Sequence, residues 1–304
     1  MENPIRIGCI GEAMIELGEF DLAAGTARIG FAGDALNTAI YLARRLPAGF
    51  GVDFITNLGV DRISDRMLAA LTAEGIGITG IGRVEDRLPG LYAIETDAQG
   101  ERTFHYWREQ SAARTLFSGP GTGLGDLARL KVIYLTGITL AILPVPVRQR
   151  LIATLKARRK AGAMVVFDPN YRARLWRDAV TARVCFAAMA QATDLALPGF
   201  DDEQQLYPGT TPEQVLARFA AFGVKEIVLK NGAAGVMVWH GGQILHPALA
   251  CAAAVVDSTG AGDAFNAGYL AARLQAAGPE AAALAGHSLA CRVIGTHGAI
   301  LPRD

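Results

Sequence analysis

Lysine is scarce in this chain of 304 residues: only 5 of its 29 basic residues are Lys, the other 24 being Arg. Asp plus Glu also number 29, so the formal net charge is zero. No global basic field exists to hold nucleic acid or an anionic membrane. A local Arg-lined cleft is still open to the fold, because Arg grips carboxylates and phosphates through two N–H groups at once. Long apolar runs are missing as well. The longest, Ala248 to Val256, is far too short to span a bilayer. The N-terminus carries no apolar stretch of signal-peptide length and leads straight into a strand-like run. Cysteine is rare, and Cys9, Cys185, Cys251 and Cys291 stand far apart, with neither a Cys-x-x-Cys pair nor Cys/His zinc spacing. Buried free thiols in a reducing compartment are expected, and with them a cytoplasmic protein. No Gly-Lys dipeptide occurs, which excludes a Walker A loop. Neither His-Arg-Asp nor Asp-Phe-Gly occurs, which excludes a protein kinase.

What is present favours a large folded core: 51% of residues are hydrophobic and 19% charged. Ile5 to Ile10 is a short continuous apolar run, as a strand buried on both faces would be. Strands are also expected at Val52–Leu58, Val132–Leu135, Met164–Phe167, Leu195–Leu197 and Ile227–Leu229. Helical spacing marks Ala35–Leu46, Arg62–Glu74, Val147–Ala161, Arg177–Ala190 and Pro212–Phe222, the last with Thr211 as its N-cap. Two long helices, Ala261–Ala276 and Pro279 to about Ile294, fill the C-terminal third. Short strands separated by helix-length segments predict an α/β fold, a mostly parallel sheet with helices on both faces. Leu91 to Trp107 reads as a β-hairpin turning at Asp97–Gly100, either a flap over the site or an extra edge of the sheet. A second hairpin, turning at His240–Gln243, is expected at the far edge of the sheet. Gly75-Ile-Gly77-Ile-Thr-Gly80 has dinucleotide-motif spacing but comes after a helix, so it is read as a loop.

The strongest chemical signal is Asp257-Ser-Thr-Gly-Ala-Gly-Asp263, which opens a strongly helical segment. Gly260 and Gly262 let the backbone approach a ligand, and the first helical turn, through Ala261, presents unpaired N–H groups to an anion. Asp263 could take the proton of a hydroxyl as that oxygen attacks a γ-phosphoryl group, with the turn stabilising the transferred charge. The helix terminus is expected to keep Asp263 ionised at neutral pH. The Lys230-Asn-Gly-Ala-Ala-Gly235 loop suits either approach to a nucleotide or an ordinary glycine turn.

Together these motifs resemble the ribokinase-like, or PfkB, group of carbohydrate kinases: Gly260–Asp263 at a late helix start, Gly33-Asp34-Ala-Leu-Asn37 leading an early helix, and the Lys230–Gly235 loop, in that family's order. The resemblance spans nearly the whole chain. It implies a single ribokinase-like kinase domain, 1–304, with a small β lid built from segments near 12–33 and 88–110. It also implies phosphorylation of an alcohol with ATP and Mg²⁺. Asp263 would be the base and Gly260, Ala261 and Gly262 the anion hole; Asn170, Lys230, Gly232 and Gly235 would meet ATP. Asp257 and Thr259 match positions that contact a monovalent cation, K⁺, in some members. Phe31–Arg44, Tyr106-Trp-Arg108 with Ser111–Arg114, and Asp168-Pro-Asn170-Tyr-Arg172 are similar to 2-keto-3-deoxygluconate kinases of that group. A sugar-acid substrate, phosphorylated at its 6-hydroxyl, would then contact Gly33, Asp34, Asn37, Tyr92, Tyr106 and Asp263, with its carboxylate met by Arg108 and Arg172. The alternatives are a fructokinase or other neutral-sugar kinase of the same fold, and a non-catalytic sugar- or nucleotide-binding regulator. One departure stands out. Where the family often has Asn-x-x-Glu for Mg²⁺, this chain has Gly199-Phe-Asp-Asp202-Glu203. Neither nucleic acid nor membrane is an expected partner, and the exposed hairpin could pair with a second subunit.

Overall fold

The computed structural model describes residues 4–21, 24–96, 102–119, 121–250 and 255–303. The turn at Asp97–Gly100 and Cys251 lie outside them. The N-terminal part runs β1 (Ile5–Ile10), β2 (Met14–Asp21), β3 (Thr26–Ala32), α1 (Asp34–Arg45), β4 (Phe50–Gly59), α2 (Arg62–Ala73), β5 (Gly77–Val84), β6 (Gly90–Thr96) and β7 (Arg102–Trp107). The middle continues with β8 (Val132–Thr136), α3 (Gly137–Ile142), α4 (Val145–Lys160), β9 (Met164–Asp168), α5 (Ala179–Ala190), β10 (Leu195–Ala196), α6 (Phe200–Leu206) and α7 (Pro212–Ala221). The C-terminal part holds β11 (Glu226–Lys230), β12 (Val236–His240), β13 (Gln243–Leu245), α8 (Ala261–Leu274) and α9 (Pro279–Ile294).

Nine strands form one sheet in the order β13-β12-β11-β10-β9-β8-β1-β4-β5. Pairing is parallel from β5 to β11, and the antiparallel hairpin β12–β13 extends the far edge, as its turn residues predict. Strand β8 shows why the central runs are apolar throughout. Val132 and Tyr134 pack with α1 and α8 on one face, while Ile133 and Leu135 pack with α4 and α5 on the other. Alternate side chains enter different cores, so no position on the strand is free to be polar for solvent's sake.

The Gly75–Gly80 segment corrects one expectation. Gly75 ends the turn after α2, but Gly77 and Gly80 lie in β5, paired in parallel with β4. A Cβ at Gly80 would sit about 2.9 Å from the Ile55 side chain and 3.0 Å from the Phe54 carbonyl, so glycine there serves close strand packing.

Four further strands form a separate small sheet, β3-β2-β6-β7. The Gly-rich segment after β1 and the Leu91–Trp107 hairpin are therefore two halves of one structure, joined by parallel pairing of β2 with β6. Its inner face carries Met14, Ala32, Tyr92, Ile94, Phe104 and Tyr106 as an apolar cluster of its own. Among the described residues no helix is long and apolar enough to cross a membrane. Cys9 and Cys185 are buried free thiols; burial pushes both up, Cys185 to about 11. Cys291 is only half-buried.

Candidate active site

Parallel strands end together, and the loops at their C-terminal ends line a common crevice. Here β9 ends at Asp168 and β11 at Lys230, both facing a cleft of about 1010 Å³ between the large sheet and the small one. The start of α1 and the start of α8 complete its floor, and Tyr92, Arg102, Phe104, Tyr106 and Arg108 approach from the small sheet.

Helix α8 begins at Gly260, which adopts a left-handed φ of 75° and lies against Ala299, where a Cβ would come within 2.8–2.9 Å. Only glycine meets both conditions without strain. Gly262 is the opposite case. A Cβ there would meet nothing closer than Lys230 Nζ at 3.9 Å, so its surface is open towards the cleft. The first-turn N–H groups at Gly262 and Asp263 belong to the unpaired end of the helix and suit an anion. Ala261 opens the helix but does not line the cleft.

Asp263 is held by α1. Asn37 Nδ2 donates to Asp263 Oδ2 at 2.8 Å, and the Asn37 carbonyl oxygen accepts from the Gly33 N–H at 3.3 Å, which fixes the amide's orientation. The helix terminus does not keep this carboxyl low. Burial, then the Asp34 carboxylate, push it well above the ordinary range; the Asn37 bond and Lys230 oppose that push, and Asp168 adds to it. Nearby anions and lost solvation both favour the neutral carboxyl. A raised base protonates earlier as pH falls, so kcat/KM is expected to decline on an acid limb above the ordinary Asp range. Asp34→Asn should move that limb down by removing the neighbouring charge, and a pH–rate series on both proteins checks it.

Beneath Asp263 runs a polar network. Lys230 Nζ donates at 2.9 Å to both Asp168 Oδ2 and Asn266 Oδ1; Asn266 Nδ2 donates to Asp168 Oδ2 at 2.6 Å and to the Tyr134 hydroxyl at 3.1 Å. Asp34 Oδ2 accepts from Asn170 Nδ2 at 3.0 Å and from the Thr136 hydroxyl at 2.5 Å. Asn170, expected at the nucleotide, is thus tied to the carboxylate expected at the sugar. Gly232 lines the cleft, whereas Gly235 does not; its backbone closes the turn after β11.

The arginines change the expected picture most. Arg108 is 4% exposed and ion-paired with Glu12, itself 2% exposed. Arg172 pairs with Asp202 at 2.8 Å and donates to its own neighbour's carbonyl, Tyr171 O, at 2.8 Å. Both line the cleft, yet both already hold a partner. The Tyr92 hydroxyl donates to Glu16, which leaves its ring to face the cleft. Asp202, not Glu203, faces the cleft; Glu203 turns away to Arg218, and burial lifts its carboxyl to about 7.

Asp257 and Thr259 do not fit the monovalent cation that the resemblance implies. Arg102 of β7 ion-pairs with Asp257 and donates to Thr259 Oγ1 at 3.0 Å. The Asp257 carboxylate also accepts from the N–H groups of Thr259 at 2.9 Å and Gly298 at 2.6 Å. Burial alone would raise this carboxyl, but those donors take it down to about 2. The Arg102 guanidinium thus already holds both side chains.

The chain matches the pfkB family of carbohydrate kinases over residues 5–304. It belongs to that family. The kinase is 42% identical over 305 residues to a 2-dehydro-3-deoxygluconokinase of Escherichia coli K12, covering 98% of each chain. It is 43% identical over 305 residues to the 2-dehydro-3-deoxygluconokinase of Dickeya dadantii, covering 98% of this chain and 97% of that one. A fructokinase of Escherichia coli is 32% identical over 240 residues, covering 78% and 75%. Among solved structures, a 2-dehydro-3-deoxygluconokinase of Thermotoga maritima superposes with a TM-score of 0.82 at 20% identity, covering 98% and 95%. An Escherichia coli protein solved with ATP and Mg²⁺ superposes with a TM-score of 0.83 at 21% identity, covering 98% and 94%. Both structural likenesses confirm the ribokinase-like α/β fold of the kinase.

Proposed function

We propose that this carbohydrate kinase transfers the γ-phosphoryl group of ATP to the 6-hydroxyl of 2-dehydro-3-deoxygluconate. The observation that carries the reading is Asp263 at the open first turn of α8, in a cleft that Arg102, Arg108, Arg172 and Arg174 also line. Two relatives of that name, 42% and 43% identical over almost the whole chain, support the substrate class. The regulator alternative is disfavoured by the intact base and anion turn, since a pure binder needs no proton acceptor.

In this reading Asp263 removes the hydroxyl proton as the oxygen attacks, and the first-turn N–H groups hold the charge gathering on the transferred phosphoryl. Asn37 keeps the carboxylate aimed. Lys230, fixed by Asp168 and Asn266, and Gly232 would adjoin the phosphates of ATP. No group of three or more carboxylates or other metal-ligating side chains comes together among the described residues, so Mg²⁺ would be held mainly by its own water and the ATP oxygens, whose charge it would offset, with Asp168 and Asp202 at the cleft able to meet it through water. The small sheet would act as a lid, and its exposed Ile29 and Trp107 support pairing with a second subunit through it.

Because Arg102 occupies the Asp257–Thr259 site, turnover is expected to be the same in K⁺ and in choline buffers. A several-fold stimulation by K⁺ would contradict that. The reading itself is tested by ³¹P and ¹³C NMR of the product: phosphorus coupled to C6 supports it, and phosphorylation elsewhere, or none, rejects it.

A further inference from the structure

Helix α1 does more than aim Asp263. Asn37, Tyr41 and Arg44 stand at i, i+4 and i+7, one face of the helix. Asn37 donates to Asp263 at 2.8 Å. One turn further on, Tyr41 is 2% exposed, and its hydroxyl makes two hydrogen bonds: it donates to Ala299 O at 2.8 Å and accepts from the Leu301 N–H at 2.9 Å. Arg44 donates to Leu301 O at 2.8 Å and grips Glu74, the C-cap of α2, through two N–H groups, both at 2.8 Å. One helix face therefore holds the base at its start and residues 299–301 along the rest of its length.

That segment stands directly behind the anion turn. A Cβ built on Gly260 would lie 2.8 Å from Ala299 Cβ and 2.9 Å from both Ala299 Cα and Ala299 O. The carbonyl that receives the Tyr41 proton is thus one of the atoms that back Gly260. At the other end of the segment, the Gly298 N–H donates to the Asp257 carboxylate at 2.6 Å. The segment is tied to α1 on one side and to the approach to α8 on the other. No side chain caps α8 among the described residues. The aim of its first-turn N–H groups therefore depends on what stands behind the backbone.

We infer that Tyr41 is a positioning residue for phosphoryl transfer: its hydroxyl fixes the Ala299 carbonyl behind Gly260 and so keeps the first-turn N–H groups of α8 aimed at the transferred group. Tyr41 itself touches no substrate, because it lies on the far side of the turn from the cleft and does not line it. The inference rests on the anion-turn reading above and not on which sugar is bound. Donors that lose their aim lose most where charge develops, in the transition state. Bound ADP lacks the transferred group and should not register the change.

The test uses the full-length kinase and Tyr41→Phe, which keeps the ring and removes both hydrogen bonds. The acceptor is 2-dehydro-3-deoxygluconate, or fructose should the wild type turn that over instead. Tyr41→Phe is expected to lower kcat about 10-fold, the scale of an ordinary hydrogen bond or two, with KM for sugar and ATP as in the wild type. Two dissociation constants separate positioning from a merely structural role. One is for MgADP; the other is for MgADP with aluminium fluoride and the sugar, a mimic of the phosphoryl group in flight. The mimic should bind Tyr41→Phe about 10-fold more weakly than the wild type, and MgADP alone equally well. If circular dichroism shows that Tyr41→Phe does not fold, Arg44→Gln, which frees the Leu301 carbonyl, should show the same split at smaller size. A wild-type kcat in Tyr41→Phe overturns the assignment and leaves the anion-turn reading standing. An equal loss of affinity for MgADP with and without aluminium fluoride also overturns it, because the residue would then support only the fold. A wild-type kinase that gains no affinity from aluminium fluoride removes the anion-turn reading and the assignment together.

Discussion

Asp263→Asn is expected to lower kcat by about 10²–10⁴-fold, the usual contribution of a positioned general base. The substitution keeps the shape of the side chain. Asn37 Nδ2, 2.8 Å from Asp263 Oδ2, still finds a carbonyl oxygen to donate to. The anion turn is untouched, because its donors are backbone N–H groups at the start of α8. KM for ATP should therefore change little while turnover collapses, the pattern of an interaction made only in the transition state. Steady-state kinetics on the purified variant measure both quantities, and a near-wild-type kcat would remove Asp263 from the mechanism.

The second large effect is on stability. Arg108→Ala leaves the Glu12 carboxylate buried without its counter-ion. Removing one member of a buried pair typically costs about 3–5 kcal/mol, and both side chains here are 4% exposed or less. Among the described residues Glu12 Oε1 and Arg108 Nε have no further hydrogen-bond partner, so the pair's own contact carries the compensation. The same truncation at Arg172 should cost far less, because that side chain is 44% exposed, and exposed pairs contribute about 0–1 kcal/mol. Urea unfolding of both variants checks the contrast, and the double variant Glu12→Gln with Arg108→Met should recover much of the loss. Equal midpoints for Arg108→Ala and the wild type would contradict the buried pair. A drop in the activity of Arg108→Ala is therefore not evidence of a lost substrate contact unless stability is measured beside it.

The parallel sheet was legible because its central strands bury both faces and so read as apolar runs, and α8 because its glycines and terminal acid stand together in sequence. The face of β7 was legible too. Arg102, Phe104, Tyr106 and Arg108 alternate with exposed residues, and strand periodicity turns all four to one side. Taking Tyr106 and Arg108 without Arg102 and Phe104 misses that period. Strand β5 was hidden by three glycines whose role is packing against β4.

The ion pairs were not legible at all. Glu12 meets Arg108 across 96 residues, Arg102 on β7 meets Asp257 just before α8, and no local pattern links either pair. Asn266 and Tyr134 were hidden for a different reason. Each is a single polar residue in an apolar segment, which reads as core until its hydrogen bonds are seen. The charge state of Asp263 needed the fold as well, because its largest influences are burial and an aspartate 229 positions away, Asp34 on α1.

The measurement that bears most directly on the whole account is a coupled ADP-release assay comparing kcat/KM for 2-dehydro-3-deoxygluconate with kcat/KM for fructose, since fructokinases are among the relatives of the chain. The account predicts a preference for the keto acid of about 10-fold or more, the value of one charged hydrogen bond. Equal values, or a preference for fructose, would contradict a cleft built for a sugar acid.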